Sequence, residues 1–368
     1  MAPNTITFIG LLGMLASYLV MWYYCPNLDE AVDSDSSPPS DNDSIPRWIF
    51  LFNGVMMFFY QTLDNMDGKQ ARRTENGTPL GMLFDHGCDA INSPLGSACW
   101  ACAMGIGPSS RVVMFATLTS SMIPFYTATW EEYYTGALVL PVINGPNEGI
   151  LMGAALSVAS FLWGASYWHT YSWNEAWLGK GIDFVVSMCP AQLAAVVPEL
   201  GFKNYEILVG LGLGCAMQEL ILKSVSVVKS HGLLTLVNQL PFVVLLGASV
   251  KLFSTEMGER LLLQVPRTAM LLFGVLFVEM VCALMLDHMC KKSFNPIRPI
   301  LVPLVAMVVM VSYQLIEYEV LVSAFQMYFS GAFVFLSFRL FVAGSEICEA
   351  LNIWCFDIVN KRKKEKLA

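Results

Sequence analysis

The sequence predicts an all-α, polytopic integral membrane protein with about ten transmembrane helices, and three observations carry that prediction. Only 14% of its 368 residues are charged, against about 25% in a typical soluble domain. Apolar residues make up 55% and the mean hydropathy is +0.56. The apolar residues are also gathered into runs near the length, about 20 residues, that a helix needs to cross a bilayer. So little charge excludes a single soluble core, a disordered chain and a nucleic-acid-binding protein.

The predicted spans are 5–24, 46–63, 82–106, 110–128, 149–168, 204–226, 232–252, 268–288, 299–315 and 320–345. The first lacks a basic flank and a small-residue cleavage site, so it reads as a retained helix and not as a signal peptide. Between the first and second lies an acidic, apolar-poor stretch from Asp29 to Asp41, predicted to be unstructured. The third span contains carboxylates and the ninth is short.

With the N-terminus in the cytosol, the cytosolic segments hold Lys69, Arg72, Arg73, Lys223, Lys229, Lys291, Lys292, Arg298 and the five basic residues of 361–366. The far side holds Arg47, Arg111, Lys180, Lys203, Lys251, Arg260 and Arg267, and Arg339 falls inside a span. Thirteen against seven follows the positive-inside tendency. Most of the ten cysteines lie in apolar runs, where cysteine packs as a small hydrophobe. Cys99 and Cys102 have redox or zinc spacing, but no second ligand pair accompanies them.

Charges inside spans are costly and mark functional sites. They concentrate in Asp64-Asn65-Met66-Asp67-Gly68-Lys69-Gln70-Ala71-Arg72, which closes the second span, and Gly81-Met82-Leu83-Phe84-Asp85-His86-Gly87-Cys88-Asp89, which opens the third. Asp64 and Asp67 are three apart and share a helix face; Gly81, Asp85 and Asp89 recur every four residues and form another stripe. Asn76-Gly77-Thr78-Pro79 turns the chain back between them. Four carboxylates meeting at a membrane edge repel one another unless cations neutralise them, and hard oxygen ligands favour Mg²⁺ or Mn²⁺ over zinc. Gly68 and Gly81 let a phosphate or nucleotide approach the backbone, and Arg72 can pair with phosphate oxygens. The pattern predicts a two-metal site for a diphosphate.

Asp64-x2-Asp67-Gly68-x2-Ala71-Arg72-x8-Gly81-x3-Asp85-x3-Asp89 resembles, without a gap, the signature of the CDP-alcohol phosphotransferases. The opening Met1-Ala2-Pro3-Asn4, the Leu83–Asp89 word, Trp130-Glu131-x-Tyr133 and Asn144–Gly149 resemble the eukaryotic choline/ethanolamine phosphotransferase branch. The resemblance covers essentially the whole chain and implies ten helices in a homodimer. It divides the chain into catalytic helices (1–228), further helices with a lipid-substrate chamber and dimer contacts (229–360), and a basic cytosolic tail (361–368).

The resemblance also implies an activity: CDP-choline or CDP-ethanolamine and diacylglycerol give phospholipid and CMP, on Mg²⁺ or Mn²⁺ held by Asp64, Asp67, Asp85 and Asp89. Gly68, Ala71, Arg72 and Gly81 would bound the nucleotide pocket, and Asn4 matches an asparagine that contacts the CDP-alcohol. His86 matches the base that takes the diacylglycerol proton, with Glu148 raising its basicity; in relatives lacking this histidine the last aspartate, here Asp89, is the base. The family usually has a further N-terminal segment with an interfacial helix before the Ala-Pro-Asn word, where this sequence begins. It commonly has Glu on the head-group side where this sequence has Met82, so the resemblance does not choose between choline and ethanolamine.

His169, His231 and His288 sit near span ends and read as ordinary interfacial histidines. Glu219 and Glu279 fall in or near apolar runs and read either as lining a polar crevice or as a dimer contact. The tail Lys364–Ala368 reads as a dilysine retrieval signal or as a segment drawn to anionic lipid, and residence is predicted in the endoplasmic reticulum or Golgi membrane with the site facing the cytosol. Asn42 heads a glycosylation sequon on the far side and Asn76 one on the cytosolic side. Two other readings compete. An inositol- or serine-type phosphatidyltransferase shares the aspartates but is usually shorter. An ion-coupled transporter would also use intramembrane acids, yet no internal repeat supports it.

Overall fold

The computed structural model describes residues 1–32, 45–138, 148–175, 181 and 201–357, and among them there are helices and no strands. The helices are α1 (Pro3–Tyr24), α2 (Trp48–Arg73), α3 (Pro79–Met104), α4 (Arg111–Thr135), α5 (Ile150–Trp163), α6 (Asn204–His231), α7 (Leu240–Phe253), α8 (Glu256–Gln264), α9 (Pro266–Met289), α10 (Val302–Ser312) and α11 (Tyr318–Ala350). Each of the ten predicted spans contains a helix. Short 3₁₀ segments lead into α4, α7 and α10, and the amphipathic α8 lies where no span was predicted. The acidic stretch beyond Val32, the Asn42 sequon, Lys180, the word at 144–147 and the basic tail lie outside the described residues.

Among the described residues, six helical segments are long and apolar enough to cross a membrane, and α5 and α10 are shorter apolar helices. α2 and α3 are long enough, at 26 residues each, but carry the aspartates and other polar groups of the signature. The protein is therefore a multi-pass membrane protein whose two most polar helices need shelter from lipid. That shelter comes from α1 and α5, which flank α2, and from α9, which packs on α3 and is buried along almost its whole length. The second half of the chain thus supplies a central helix to the packing of the first.

Local chemistry sets the boundaries of α3. Thr78 caps its N-terminus by accepting the Gly81 N–H at 3.0 Å, with Pro79 in the first turn. Gly105, at φ +64°, ends it in the left-handed conformation that glycine adopts without strain. α9 approaches α3 where Gly274 faces Pro94; a Cβ there would stand 2.9 Å from the proline Cβ.

α1, α2 and α5 are joined by buried polar contacts. Ser17 donates to Asn53 at 2.7 Å, and the Asn53 amide donates to Ser157 at 2.8 Å. Such bonds hold helices together where apolar burial gives no drive for association. Small residues let the backbones close up, and a Cβ on Gly153 of α5 would overlap the Trp100 indole of α3. Gly153→Ala is expected to cost about 1–3 kcal/mol through overpacking, read as a lowered melting temperature of the purified protein in detergent.

The charge pattern needed correction in detail. Lys223 is no surface cation: it is buried in α6, its ammonium held by Glu131 of α4 and 3.7 Å from Glu219. Arg298 and Arg339 both pair with Glu279, which is 2% exposed on α9. Arg267, expected among far-side surface charges, is buried and donates to the carbonyls of Met21, Cys25 and Pro26, closing the C-terminal end of α1. Cys99 and Cys102 are buried free thiols, as packing residues would be.

Candidate active site

The N-terminal end of α1, the C-terminal part of α2 and the first turns of α3 meet at one end of the bundle. Asp64 and Asp67 come from α2 and Asp85 from α3, and one ligand atom from each lies within 4.8 Å of the others. Asp89, one turn deeper on α3, lies against Asp64. The four predicted aspartates are therefore brought together. Among the described residues none forms an ion pair with Lys or Arg, and Oδ1 of Asp85 is buried without accepting a hydrogen bond. A buried carboxylate oxygen left unsatisfied is costly. Hard carboxylate donors with one unpaired buried oxygen fit a divalent cation, and Asp64, Asp67, Asp85 and Asp89 would hold it.

Two neighbours were not legible as site residues in the sequence. The Tyr60 hydroxyl donates to Asp89 at 2.5 Å from a buried position, and Thr7 of α1 donates to Asp67. Tyr60 could have been suspected from its spacing, four residues before Asp64 on the same face of α2. Thr7 has no such signal, because it reaches Asp67 only through the packing of α1 on α2.

The nucleotide-side residues group around these. A Cβ on Gly81 would stand 3.5 Å from Oδ1 of Asn4, and one on Gly68 would stand 3.7 Å from an Arg72 guanidinium nitrogen. Arg72 is exposed and Ala71 is half-buried beside it. The Asn4 amide donates to the Cys355 carbonyl at 2.9 Å, because the segment after α11 lies across this end. Phe356 stacks edge-on with Phe84 at 5.5 Å and meets Phe8 at 6.0 Å.

His86 is half-buried, and its Nδ1 lies 3.0 Å from the Met82 carbonyl. A carbonyl only accepts, so Nδ1 carries the proton in the neutral ring and Nε2 is left as a proton acceptor. Glu148 stands exposed just before α5; His86 Nδ1 is engaged by Met82 and not by this carboxylate. The three remaining histidines sit at helix ends. His169 bonds the Met104 carbonyl at 3.0 Å, while His231 and His288 lie beside Tyr134 and Tyr133.

The comparisons agree with this geometry. The sequence model of the CDP-alcohol phosphatidyltransferase family matches residues 1–172. Choline/ethanolaminephosphotransferase 1 of Arabidopsis thaliana is 32% identical over 380 residues, covering 98% of this chain and 88% of its own length. An uncharacterized CDP-alcohol phosphatidyltransferase class-I family protein of Dictyostelium discoideum is 31% identical over 98% of this chain and 88% of its own length. Choline/ethanolaminephosphotransferase 1 of Saccharomyces cerevisiae is 40% identical over 186 residues, covering 50% of this chain and 43% of its own length. With its aspartates converging at one end of a helical membrane bundle and two of these relatives matching over 98% of its length, the chain belongs to the CDP-alcohol phosphatidyltransferase family.

Proposed function

We propose that this protein transfers phosphocholine or phosphoethanolamine from CDP-choline or CDP-ethanolamine to diacylglycerol, releasing CMP. The observation that carries the proposal is the cluster of Asp64, Asp67 and Asp85 with a buried, unsatisfied Asp85 oxygen, in a chain whose full-length relatives are named for choline and ethanolamine phosphotransfer.

Asp64, Asp67, Asp85 and Asp89 would hold two divalent cations, Mg²⁺ or Mn²⁺. Bound there, the cations supply charge neutralisation for the pyrophosphate and the leaving CMP. Gly68, Ala71, Arg72 and Gly81 bound the nucleotide pocket, with Arg72 pairing to phosphate and Asn4 contacting the CDP-alcohol once it leaves Cys355. The diacylglycerol hydroxyl attacks phosphorus and the bond to CMP breaks. His86 takes the hydroxyl proton on Nε2, its ring held by the Met82 carbonyl. Asp89 is the weaker alternative as base, because one of its oxygens is already engaged by Tyr60.

The test is product formation by the purified protein from diacylglycerol and either labelled CDP-alcohol, with Mg²⁺ or Mn²⁺ and with chelator. Phospholipid and CMP in equal amounts, lost on chelation, are expected; no product from either CDP-alcohol would sink the reading.

We place the site on the cytosolic side of the endoplasmic reticulum or Golgi membrane, in a homodimer. The exposed cations Lys69, Arg72, Arg73, Lys229, Lys291 and Lys292 share the end of the bundle that carries the aspartates, which supports a cytosolic face. Asn76, in the turn between α2 and α3, is therefore expected to stay unglycosylated in cells. A glycosidase-sensitive mass shift that disappears in Asn76→Gln would reverse the orientation.

A further inference from the structure

Two consecutive glutamates lie near the C-terminal end of α4, and they have opposite fates. The Glu131 carboxylate is held by the Lys223 ammonium. Glu132 is equally buried, at 9% exposure, yet its carboxylate has neither a hydrogen-bond donor nor a cation among the described residues. It lines a narrow cleft with Thr129, Met82, Met285 and His288, whose free volume is about 10 Å³, room for about one water molecule. Met82 and His288 also line a wider vestibule of about 670 Å³, walled by Tyr133, Tyr134 and Asp287. The Glu132 oxygens are not among the sealed, unsatisfied atoms of the protein, so a cation entering the cleft can reach this unpaired charge.

The cleft adjoins the site through α3. Met82 directly follows Gly81 at the nucleotide pocket and precedes Asp85 by three residues, on the same helix face. Its carbonyl also fixes the His86 ring. A substrate phosphate held at the aspartates would carry its alcohol, two carbons long and ending in an ammonium, toward this wall. We propose that Glu132 receives the cationic end of the head group and that the cleft favours a primary ammonium over a trimethylammonium, so that this chain prefers CDP-ethanolamine. A primary ammonium has about the bulk of a water molecule and donates hydrogen bonds to a carboxylate. A trimethylammonium is wider, donates none, and is left in the vestibule beside the tyrosines, where attraction is weaker.

This inference rests on the transfer reaction proposed above, and the experiment separates the two. Kinetics with CDP-ethanolamine and CDP-choline would be measured for the unmodified protein, Glu132→Gln, and Glu132→Gln combined with Met82→Glu, together with CMP binding by thermal shift. The unmodified protein is expected to favour CDP-ethanolamine in kcat/KM by about ten-fold or more. Glu132→Gln is expected to raise KM for CDP-ethanolamine about 10- to 100-fold, the effect of a lost charge-assisted bond, with kcat changed little and CMP binding unchanged. Met82→Glu returns a carboxylate to the same cleft and is expected to recover much of that loss. An unchanged KM in Glu132→Gln, or an equal loss of CMP binding, would overturn the role of Glu132. A preference for CDP-choline in the unmodified protein would overturn the size argument. An unmodified protein that transfers neither head group would overturn the reaction itself, and this inference with it.

Discussion

Asp85→Ala is expected to lower kcat/KM for phospholipid formation by about 10³-fold or more, with both CDP-alcohols affected alike. The magnitude follows from removing preorganised charge stabilisation from a low-dielectric site, where a single such interaction is commonly worth about 10²- to 10³-fold, and from the loss of a metal ligand besides. Asp85 is the sharpest choice because its Oδ1 is buried and bonded to nothing, so its cost is offset only when a cation binds. The variant also relieves repulsion from Asp64 and Asp67. The metal-free protein should therefore melt at the same temperature or higher, while the stabilisation by added Mg²⁺ or Mn²⁺ that linkage requires of the unmodified protein should shrink. Undiminished phospholipid synthesis in Asp85→Ala would remove the metal-site reading.

His86→Ala should reduce kcat by about 10²- to 10⁴-fold, the usual contribution of a positioned general base, while leaving KM for the CDP-alcohol within a few-fold. The split is diagnostic because, in the proposed reaction, the ring acts on the diacylglycerol proton, whereas the nucleotide would be held by α1, α2 and the start of α3. His86→Gln keeps a hydrogen-bonding side chain without a titrating nitrogen and should be nearly as slow, which separates proton transfer from simple positioning. Full activity in His86→Ala would transfer the role to Asp89. In that case Tyr60→Phe, which frees the Asp89 oxygen now engaged at 2.5 Å, should change the pH profile of kcat.

Most of the acidic cluster is legible in the sequence because its geometry is local. Residues three and four apart on a helix share a face whatever surrounds them, so Asp64 with Asp67 and Asp85 with Asp89 could be paired from spacing, and the Asn76–Pro79 turn implied that the pairs would meet. The helices were legible for a similar reason, since an apolar run of about 20 residues has few alternatives to spanning. Lys223 and Arg298 show where that kind of reading stops. Both count as basic residues at the cytosolic side, and both are consumed by buried partners on other helices, Glu131 at 92 residues' separation and Glu279 at 19.

Thr7 and Glu132 mark the same boundary at and beside the aspartates. Thr7 matters only because α1 lies on α2, and Glu132 stands out only because its neighbour Glu131 is neutralised while it is not. From composition and spacing alone, the chain was already a helical membrane protein with an acidic, cation-demanding signature on two adjacent helices. Which polar groups are satisfied, which carboxylate opens into a cleft and which lysine is hidden were settled by how the helices pack. The physical reason is that helix periodicity is a property of neighbouring residues, whereas the satisfaction of a buried charge depends on whatever side chain another helix brings to it.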